Sequence, residues 1–216
     1  GYAACTAASQ KPLAQGNVGA GAGATVGKLF GNDCAMKGGI GSASLTLHGI
    51  TVGALVACNA VGDVRDAANG HLLAGSRKTP DSLELRDSMA SLVQGQSPAT
   101  VLPGTNTTIG VIATDARLSR EQLQRLTVAG HDGLARCITP VHTLLDGDTL
   151  FALATGQADV VDTPPPDALT LAAMASTVVS MAVHSAICSA QSLRTDDSFW
   201  PSAAEAALAA RPRPQK

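Results

Sequence analysis

Aromatic side chains are scarce in this sequence, which has three phenylalanines, one tyrosine and one tryptophan among 216 residues. Proteins that bind single-stranded nucleic acid stack the bases on aromatic side chains, and this chain has few to offer. An excess of basic residues is missing as well, because the formal net charge is −2 and the pI is near 6.2. Nucleic acid is therefore not expected as a partner.

With so few aromatic residues, the hydrophobic core has to be built from Ala, Val, Leu and Ile. Hydrophobic residues make up 45% of the chain, which is enough for one sizeable core. We therefore predict a single domain over residues 1–216. The 22 glycines would let backbone segments approach one another closely inside it.

The sequence also lacks a pattern of paired cysteines. The five cysteines are an odd number and follow no disulfide or metal-binding spacing. Those in apolar runs are expected to pack as small hydrophobic side chains with free thiols. This usage favours a reducing compartment, so we expect a cytoplasmic protein.

No uninterrupted hydrophobic run is long enough to span a membrane. The longest apolar stretch, residues 169–187, contains the polar residues Ser176, Thr177, Ser180, His184 and Ser185. We interpret it as a buried or interface helix and expect no membrane partner.

Hydrophobic periodicity and turn residues predict a mixed α/β chain. Strands are predicted over 42–47 and 50–60, and these two would form an antiparallel hairpin. Two further strands are predicted, one in the apolar run after Thr107 and one over 150–155. Helices are predicted over 2–10, after the capping box of Ser119 and Gln122, and over 168–193 with Asp167 as the N-cap. Residues 63–105 are interpreted as a surface loop with one short helix at 81–94. Pro164–Pro166 would separate the last strand from the last helix, and 211–216 would form a disordered tail.

A glycine-dense loop runs from Gly16 to Gly27 and invites comparison with phosphate-binding loops. The pattern G-x-x-x-x-G-K-[ST] fails, because Ala22 stands at its first glycine position and Leu29 follows Lys28. The dinucleotide pattern G-x-G-x-x-G finds no register here either. The sequence therefore supports no nucleotide cofactor, and we expect none of another kind.

The stretch from Gly104 to Asp115 changes from a polar loop to an apolar, β-branched run at Thr107. Its hydroxyl would be nucleophilic if a base lay close, and the nearest base is the α-amine that Thr107 would carry if the Asn106–Thr107 bond were cut. An α-amine titrates near about 7.7–8.0, so much of it can accept a proton at neutral pH. From the pattern alone, an ordinary strand start is the better explanation of these residues, because Thr is common in strands and Asn-Thr is common before them.

Several long blocks resemble the family of the L-aminopeptidase/D-esterases and the nylon-oligomer endohydrolases. The blocks that carry the resemblance are Gly16-Asn-Val-Gly-Ala-Gly-Ala-Gly-Ala-Thr-Val-Gly-Lys28, Lys37-Gly-Gly-Ile-Gly-Ser-Ala-Ser44, Thr51-Val-Gly-Ala-Leu-Val-Ala-Cys-Asn-Ala-Val-Gly-Asp63, Asn106-Thr-Thr-Ile-Gly-Val-Ile-Ala-Thr-Asp-Ala-Arg117, Ala129-Gly-His-Asp-Gly-Leu-Ala-Arg136 and Pro140-Val-His-Thr-Leu-Leu-Asp-Gly-Asp-Thr-Leu-Phe-Ala-Leu-Ala-Thr-Gly156. The resemblance as a whole runs from about Gly1 to Gly156.

The resemblance implies a four-layer αββα sandwich, an α/β fold of the N-terminal-nucleophile hydrolase type. It also implies self-cleavage between Asn106 and Thr107, which would give a larger part, 1–106, and a smaller part, 107–216, that begins with the nucleophile. The Asn-Thr pair is similar to the nylon-oligomer branch, whereas the aminopeptidase branch has Gly-Ser. Family members carry a substantial region before this point, so we expect the printed chain to be a fragment or a truncated form.

The resemblance assigns four further residues to the active site. Lys28 would lower the pKa of the Thr107 amine by like-charge repulsion, and Asn59 would donate to the developing oxyanion. One carboxylate of Asp146 and Asp148 would orient the Thr107 ammonium or hydroxyl. Without the resemblance, Lys28 is a solvated loop residue, Asn59 a strand-end residue, and Asp146-Gly-Asp148 a turn or a fragment of a calcium loop without its other ligands.

Three other assignments complete the predicted site. Tyr2, the only tyrosine, would correspond to an active-site tyrosine of the family. His131, His142 and His184 are interpreted as structural, because no helix spacing places two of them one turn apart and no cysteine is suitably near, and no metal is expected. Ser42 lacks the G-x-S-x-G context of a nucleophilic serine and is expected to line the wall of the glycine loop.

These observations lead to one main function and two alternatives. We expect a self-processing amide hydrolase with an N-terminal threonine that acts on linear amides of the 6-aminohexanoate-oligomer type and forms a homo-oligomer of processed protomers. The first alternative is an aminopeptidase that releases N-terminal residues. The second is an inactive, truncated family member that serves as a binding or assembly subunit through the helix at 168–193.

Overall fold

The computed structural model describes residues 1–9, 11–100, 104–158 and 166–210. The helices are α1 (Tyr2–Thr6), α2 (Ser88–Val93), α3 (Arg120–Ala135), α4 (Ala168–Cys188) and α5 (Ala203–Ala209). The strands are β1 (Thr25–Val26), β2 (Met36–Lys37), β3 (Gly39–Leu47), β4 (Ile50–Cys58), β5 (Asp63–Arg65), β6 (Leu72–Ala74), β7 (Ile109–Thr114), β8 (Ile138–Thr139), β9 (Thr149–Ala154), β10 (Leu193–Arg194) and β11 (Phe199–Trp200).

A four-stranded sheet of order β3-β4-β7-β9 forms the centre of the fold. β3 and β4 make the predicted antiparallel hairpin, and its turn residues His48 and Gly49 both have positive φ, as a tight hairpin turn requires. β7 runs antiparallel to β4 and parallel to β9. Thr107 lies in the loop before β7, and Asp146–Asp148 lie in the loop before β9. Because β7 and β9 are parallel, these two loops meet at the same end of the sheet.

Helices α3 and α4 cover one face of this sheet. Alternate residues of β4 that face the helices, Ile50, Val52, Ala54 and Val56, are buried. α4 lies very close to β3, since a Cβ on Gly41 would lie 2.3 Å from the carbonyl oxygen of Ala182. Glycine is therefore required at this point for the helix to pack on the strand.

The opposite face of the sheet carries apolar side chains that remain exposed. Ile109, Phe151 and Leu153 are 44%, 58% and 45% exposed, and Leu55 and Val111 lie beside them in the strand register. This exposed sheet face begins two residues after Thr107.

Most elements that the sequence predicted are confirmed. These are the hairpin, the strand after Thr107, the strand near 150–155, the Ser119–Gln122 capping box, and the N-cap at Asp167, whose side chain accepts from the Thr170 N–H at 2.7 Å. α1 ends at Thr6 and α4 at Cys188, both earlier than predicted. Gln10, Pro164, Pro165 and the tail 211–216 lie outside the described residues.

The interpretation of 63–105 as a surface loop is wrong over its first part. β5 and β6 pair there and join β8 in a three-stranded sheet, and α2 is shorter than the predicted helix. The misleading residue is Asp63, a fully buried carboxylate within a strand. Its charge is compatible with burial because it accepts from the N–H groups of Ser76 and Ser88 and from the Ser88 hydroxyl at 2.7–2.9 Å.

α4 is long and apolar enough to cross a membrane by length and composition alone. In this fold it packs on β3 and β4 with Val178, Val179, Ala182 and Val183 fully buried, as expected for a core helix. All five cysteines are free, with Cys34, Cys58 and Cys137 buried.

Candidate active site

Thr107 lies between the loop that follows residue 104 and the start of β7. In the uncleaved chain its N–H donates to the backbone carbonyl of Asn59 at 3.0 Å, which holds it against the end of β4. Asn106 is buried and forms an isolated parallel bridge with Asp146, so the two loops are joined immediately before β7 and β9 begin. The residue pair selected from the sequence is therefore firmly positioned.

The Thr107 hydroxyl lies against the carbonyl group of the peptide bond that precedes it. Its Oγ1 donates to the Asn106 oxygen at 2.7 Å. The same oxygen accepts a second hydrogen bond, from the N–H of Gly147, at 2.9 Å. Two hydrogen-bond donors, the Thr107 hydroxyl and the Gly147 N–H, thus meet at a single backbone carbonyl oxygen.

Lys28, which is buried, and Asn59, which is half-buried, form a polar pair beside this carbonyl. Lys28 is 4% exposed, and its Nζ donates to Asn59 Oδ1 at 2.7 Å, to the Asn59 backbone oxygen at 3.3 Å and to the Thr105 oxygen at 3.4 Å. Burial lowers the pKa of Lys28 to about 8, while the negative charges of Cys58 and Asp146, when ionised, act in the opposite direction. The pKa of this lysine is thus close to the pH at which an α-amine titrates.

A single oxygen connects Lys28 to the nucleophile. The backbone carbonyl of Asn59 accepts from both Lys28 Nζ and the Thr107 N–H. After cleavage that N–H would belong to an amine, so the ammonium of Lys28 and the new amine would share one acceptor. This is the proximity that like-charge repulsion requires.

The Asn59 side chain is fixed in one orientation. Its Oδ1 accepts from Lys28 and from the Thr25 N–H at 3.1 Å, which leaves Nδ2 to donate to the Thr105 oxygen at 3.0 Å. Within the described part of the chain, its amide makes no hydrogen bond with the Asn106 oxygen. In the uncleaved chain the Asn59 amide thus contacts the carbonyl of Thr105, which precedes that of Asn106.

Asp146 and Asp148 flank Gly147, and each binds backbone groups. Asp146 accepts from the Val61 N–H at 3.3 Å and from the N–H and hydroxyl of Thr143 at 3.1 and 2.7 Å. Asp148 accepts from the Thr108 N–H at 2.9 Å and pairs with His142 Nδ1 at 2.9 Å. Across the described residues, neither carboxylate makes a hydrogen bond with Thr107, although the resemblance implied such a contact.

His142 is a site residue that the sequence analysis missed. Besides its pairing with Asp148, its ring packs edge-on against His131 with centroids 4.9 Å apart. Burial lowers the pKa of His131, and the neighbouring His142 lowers it further. The signal in the sequence is the short spacing between His142 and the Asp146-Gly-Asp148 turn within one loop, which helical spacings between histidines do not reveal.

The remaining predicted residues lie elsewhere. Tyr2 is in α1 with its side chain 89% exposed, and within the described residues it makes no side-chain hydrogen bond with this cluster. The expectation that no cysteine lies near a histidine is wrong for His184, because Cys188 lies one helical turn later on α4 and its Sγ contacts the ring at 3.7 Å. The Ser42 N–H donates to Gln15 Oε1 just before the glycine loop, in keeping with a place beside that loop.

The chain matches a known protein family over most of its length. Residues 1–199 match the family described as peptidase family S58. An uncharacterized aminopeptidase of Mycobacterium leprae (strain TN) is 47% identical over 175 residues, which cover 76% of this chain and 45% of that protein. A 6-aminohexanoate-oligomer endohydrolase of Kocuria sp. (strain KY2) is 34% identical over 170 residues, which cover 76% of this chain and 46% of that protein. The chain thus spans about half the length of the curated relatives it matches.

A solved structure confirms the predicted fold class. The L-aminopeptidase D-Ala-esterase/amidase of Ochrobactrum anthropi, described as a variant of the Ntn hydrolase fold, aligns with a TM-score of 0.61 and 22% sequence identity. The alignment covers 90% of this chain and 51% of that chain. The mixed α/β arrangement of this chain therefore resembles N-terminal-nucleophile hydrolases.

Proposed function

The chain belongs to peptidase family S58, and from this membership we propose that it is a self-processing amide hydrolase whose nucleophile is Thr107. The observation that carries the proposal is the 2.7 Å hydrogen bond between the Thr107 hydroxyl and the Asn106 carbonyl oxygen. It places a nucleophile beside the peptide bond that has to be cut to release the Thr107 amine.

In the first stage the Thr107 hydroxyl attacks the Asn106 carbonyl carbon and takes over the acyl group from the Thr107 nitrogen. Water then hydrolyses the resulting ester and separates parts 1–106 and 107–216. In the second stage the free amine of Thr107 serves as the base for its own hydroxyl, which attacks a substrate amide and forms an acyl-enzyme.

Lys28 supports the second stage through its charge. Its ammonium and the Thr107 nitrogen donate to the same Asn59 oxygen, so protonation of the amine would place two positive charges side by side. The repulsion lowers the pKa of the amine and keeps more of it in the basic form near neutral pH. Asn59 is proposed as an oxyanion donor at this stage, when departure of the Thr105–Asn106 segment frees its Nδ2.

The proposed substrates are linear amides with uncharged methylene stems, of the 6-aminohexanoate-oligomer class. The Asn106–Thr107 pair and the 34% identity to a 6-aminohexanoate-oligomer endohydrolase support this choice. The alternative is an aminopeptidase, supported by the 47% identity to a protein named as one. Blocking the N-terminus of a peptide substrate separates the two, because it stops an aminopeptidase and leaves an endohydrolase active.

Two variants of Thr107 test the nucleophile. Thr107→Val keeps the shape of the side chain but removes the hydroxyl, so we expect neither self-cleavage nor amide hydrolysis. Thr107→Ser keeps the hydroxyl and should retain both, at altered rates. Mass spectrometry of the purified proteins measures cleavage, and a Thr107→Val protein that still separates after Asn106 would refute the assignment.

A homo-oligomer of processed protomers in the cytoplasm completes the proposal. The sheet face on which Ile109, Phe151 and Leu153 are exposed, beside the half-buried Leu55 and Val111, supports self-association, since contiguous exposed apolar patches often mark protein–protein contact sites. Five free cysteines support a reducing compartment.

A further inference from the structure

Gly147 lies at the centre of the site although it has no side chain. Its N–H donates to the Asn106 carbonyl oxygen at 2.9 Å. In other hydrolases, donors at 2.7–3.1 Å from the reacting oxygen form the oxyanion hole. The oxygen that Gly147 contacts is the one that would become negatively charged during self-cleavage.

We propose that the backbone N–H of Gly147 is the oxyanion donor of the self-cleavage step, and that Asp146 and Asp148 are positioning residues that aim it. The proposal rests on the self-processing function proposed above and gives that reaction a specific catalytic group. It also separates self-cleavage from substrate turnover, for which Asn59 is the proposed side-chain donor.

The chemical step can be followed atom by atom. The Thr107 Oγ1 forms a bond to the Asn106 carbonyl carbon, and the carbonyl electron pair moves onto the oxygen that Gly147 contacts. When the carbonyl re-forms, the bond from that carbon to the Thr107 nitrogen breaks, and the nitrogen ends with the proton that the hydroxyl lost. Water then adds to the ester, which leaves a carboxylic acid on Asn106 and returns the hydroxyl to Thr107.

The absence of a side chain at position 147 is the second observation. A Cβ built on Gly147 would lie 2.7 Å from the Thr107 Oγ1, which is closer than Cβ atoms approach their neighbours. The glycine therefore lets one residue bring its N–H to the carbonyl oxygen while the attacking hydroxyl occupies the adjacent space. Any larger residue would displace the hydroxyl from the carbonyl.

The aspartates hold the Gly147 amide from both sides. On one side of Gly147, Asp146 accepts hydrogen bonds from the Val61 N–H and the Thr143 hydroxyl. On the other side, Asp148 accepts a hydrogen bond from the N–H of Thr108, the residue after the nucleophile. Asp148 is also held by His142, and its side chain is 3% exposed. Because both carboxylates are occupied with these donors, they fix the distance between the Gly147 N–H and the Asn106 oxygen rather than contact the reacting atoms.

Asn59 does not perform this role before cleavage. Its Nδ2 donates to the Thr105 oxygen, and its Oδ1 is held by Lys28 and Thr25. An amide side chain locked on the preceding carbonyl cannot stabilise charge on the Asn106 oxygen unless three hydrogen bonds rearrange. The Gly147 N–H is already in position.

An amide-to-ester exchange tests the proposal without a steric change. Incorporating glycolic acid in place of Gly147 during in vitro translation removes the N–H alone, and self-cleavage of the full chain is followed by mass spectrometry. We expect the rate to fall by about 10²- to 10³-fold, the effect of losing one oxyanion donor in other hydrolases. The matched control is the same exchange at Thr149, whose N–H donates to Thr108 at 3.0 Å and not to Asn106. This control should cleave at nearly the normal rate.

The outcomes separate this inference from the function on which it rests. If the unmodified chain does not cleave after Asn106, the proposed self-processing fails. If the unmodified chain cleaves and the position-147 ester cleaves as fast as the position-149 control, self-processing stands and the role of Gly147 is refuted.

Combining Asp146→Asn with the ester at position 147 tests the positioning role of Asp146. If Asp146 acts through the Gly147 N–H, Asp146→Asn slows self-cleavage in the normal backbone and has little further effect once that N–H is an ester. An effect of equal size in both backbones would show that Asp146 acts independently of Gly147, and would overturn this part of the proposal.

Discussion

In the proposed mechanism, the charge of Lys28 sets the pH at which the Thr107 amine becomes basic. Its ammonium shares the Asn59 carbonyl oxygen with the Thr107 nitrogen, and burial lowers the pKa of Lys28 itself to about 8. Below that pH the lysine is charged and opposes protonation of the Thr107 amine. The amine should therefore titrate below its ordinary range of about 7.7–8.0.

We predict that Lys28→Met moves the acid limb of the kcat/KM profile to higher pH. Without the neighbouring charge the amine regains its ordinary pKa, so a higher pH is needed to deprotonate it. The profile is measured on the cleaved fraction with a 6-aminohexanoate oligomer, and Lys11→Met, at an exposed position, serves as the control. An acid limb that stays in place in Lys28→Met would remove the lysine from the proposed mechanism.

At the residue scale, the sequence and the family resemblance indicated a set of site residues but not the hydrogen bonds between their atoms. Lys28, Asn59, Asn106 and Thr107 lie together in the structure. The contacts of Asp146 and Asp148 with backbone N–H groups depend on the relative position of two loops, which no local pattern encodes. The role proposed for Gly147 cannot be read from side-chain chemistry, because it belongs to a main-chain N–H.

At the scale of secondary structure, β5 is held in place by the buried carboxylate of Asp63. Burial raises the pKa of Asp63 to about 6, against the opposing effect of its hydrogen bonds from Ser76 and Ser88. The folded state therefore holds this proton more tightly than the unfolded chain, in which an aspartate titrates near about 3.9. Its contribution to the free energy of unfolding is complete below about pH 4 and is lost as the pH rises through about 6.

We predict that the free energy of unfolding contains a component that decreases between about pH 4 and pH 6, and that Asp63→Asn abolishes it. Asparagine does not titrate, so its folded and unfolded forms bind the same number of protons at this position. Urea unfolding at a series of pH values provides the measurement. The same slope in both proteins would show that Asp63 is not the source.

The elements that sequence patterns predicted share a local cause. The β3–β4 hairpin follows from alternating residues around His48-Gly49, and α3 begins at a capping box whose two hydrogen bonds are both present. β5 and β6 were missed because Asp63 looks like a loop residue until its distant donors, Ser76 and Ser88, are known. Local patterns contain no information about such partners.

At the scale of the whole molecule, the exposed sheet face is the feature that the described residues leave uncovered. Phe151 and Leu153 in β9 are 58% and 45% exposed, and Ile109 in β7 continues this surface toward Thr107. The chain spans about half the length of its curated relatives, so its self-association has to be measured directly on this chain.

We predict that the purified chain is oligomeric and that Phe151→Glu shifts it toward the monomer. A carboxylate on this face would have to lose its hydration in a protein interface, which disfavours association. Size-exclusion chromatography with light scattering measures the mass, and Leu144→Glu, a change at a fully exposed loop residue, provides the control. A monomeric parent chain, or equal masses for all three proteins, would contradict the prediction.

The central claim is that Thr107 cuts the chain in front of itself, and the intact mass of the purified protein tests it most directly. The account predicts two species, residues 1–106 and 107–216, whose masses add up to that of the full chain plus one water. A folded protein with a single uncleaved mass, or one cut at a different bond, would contradict it.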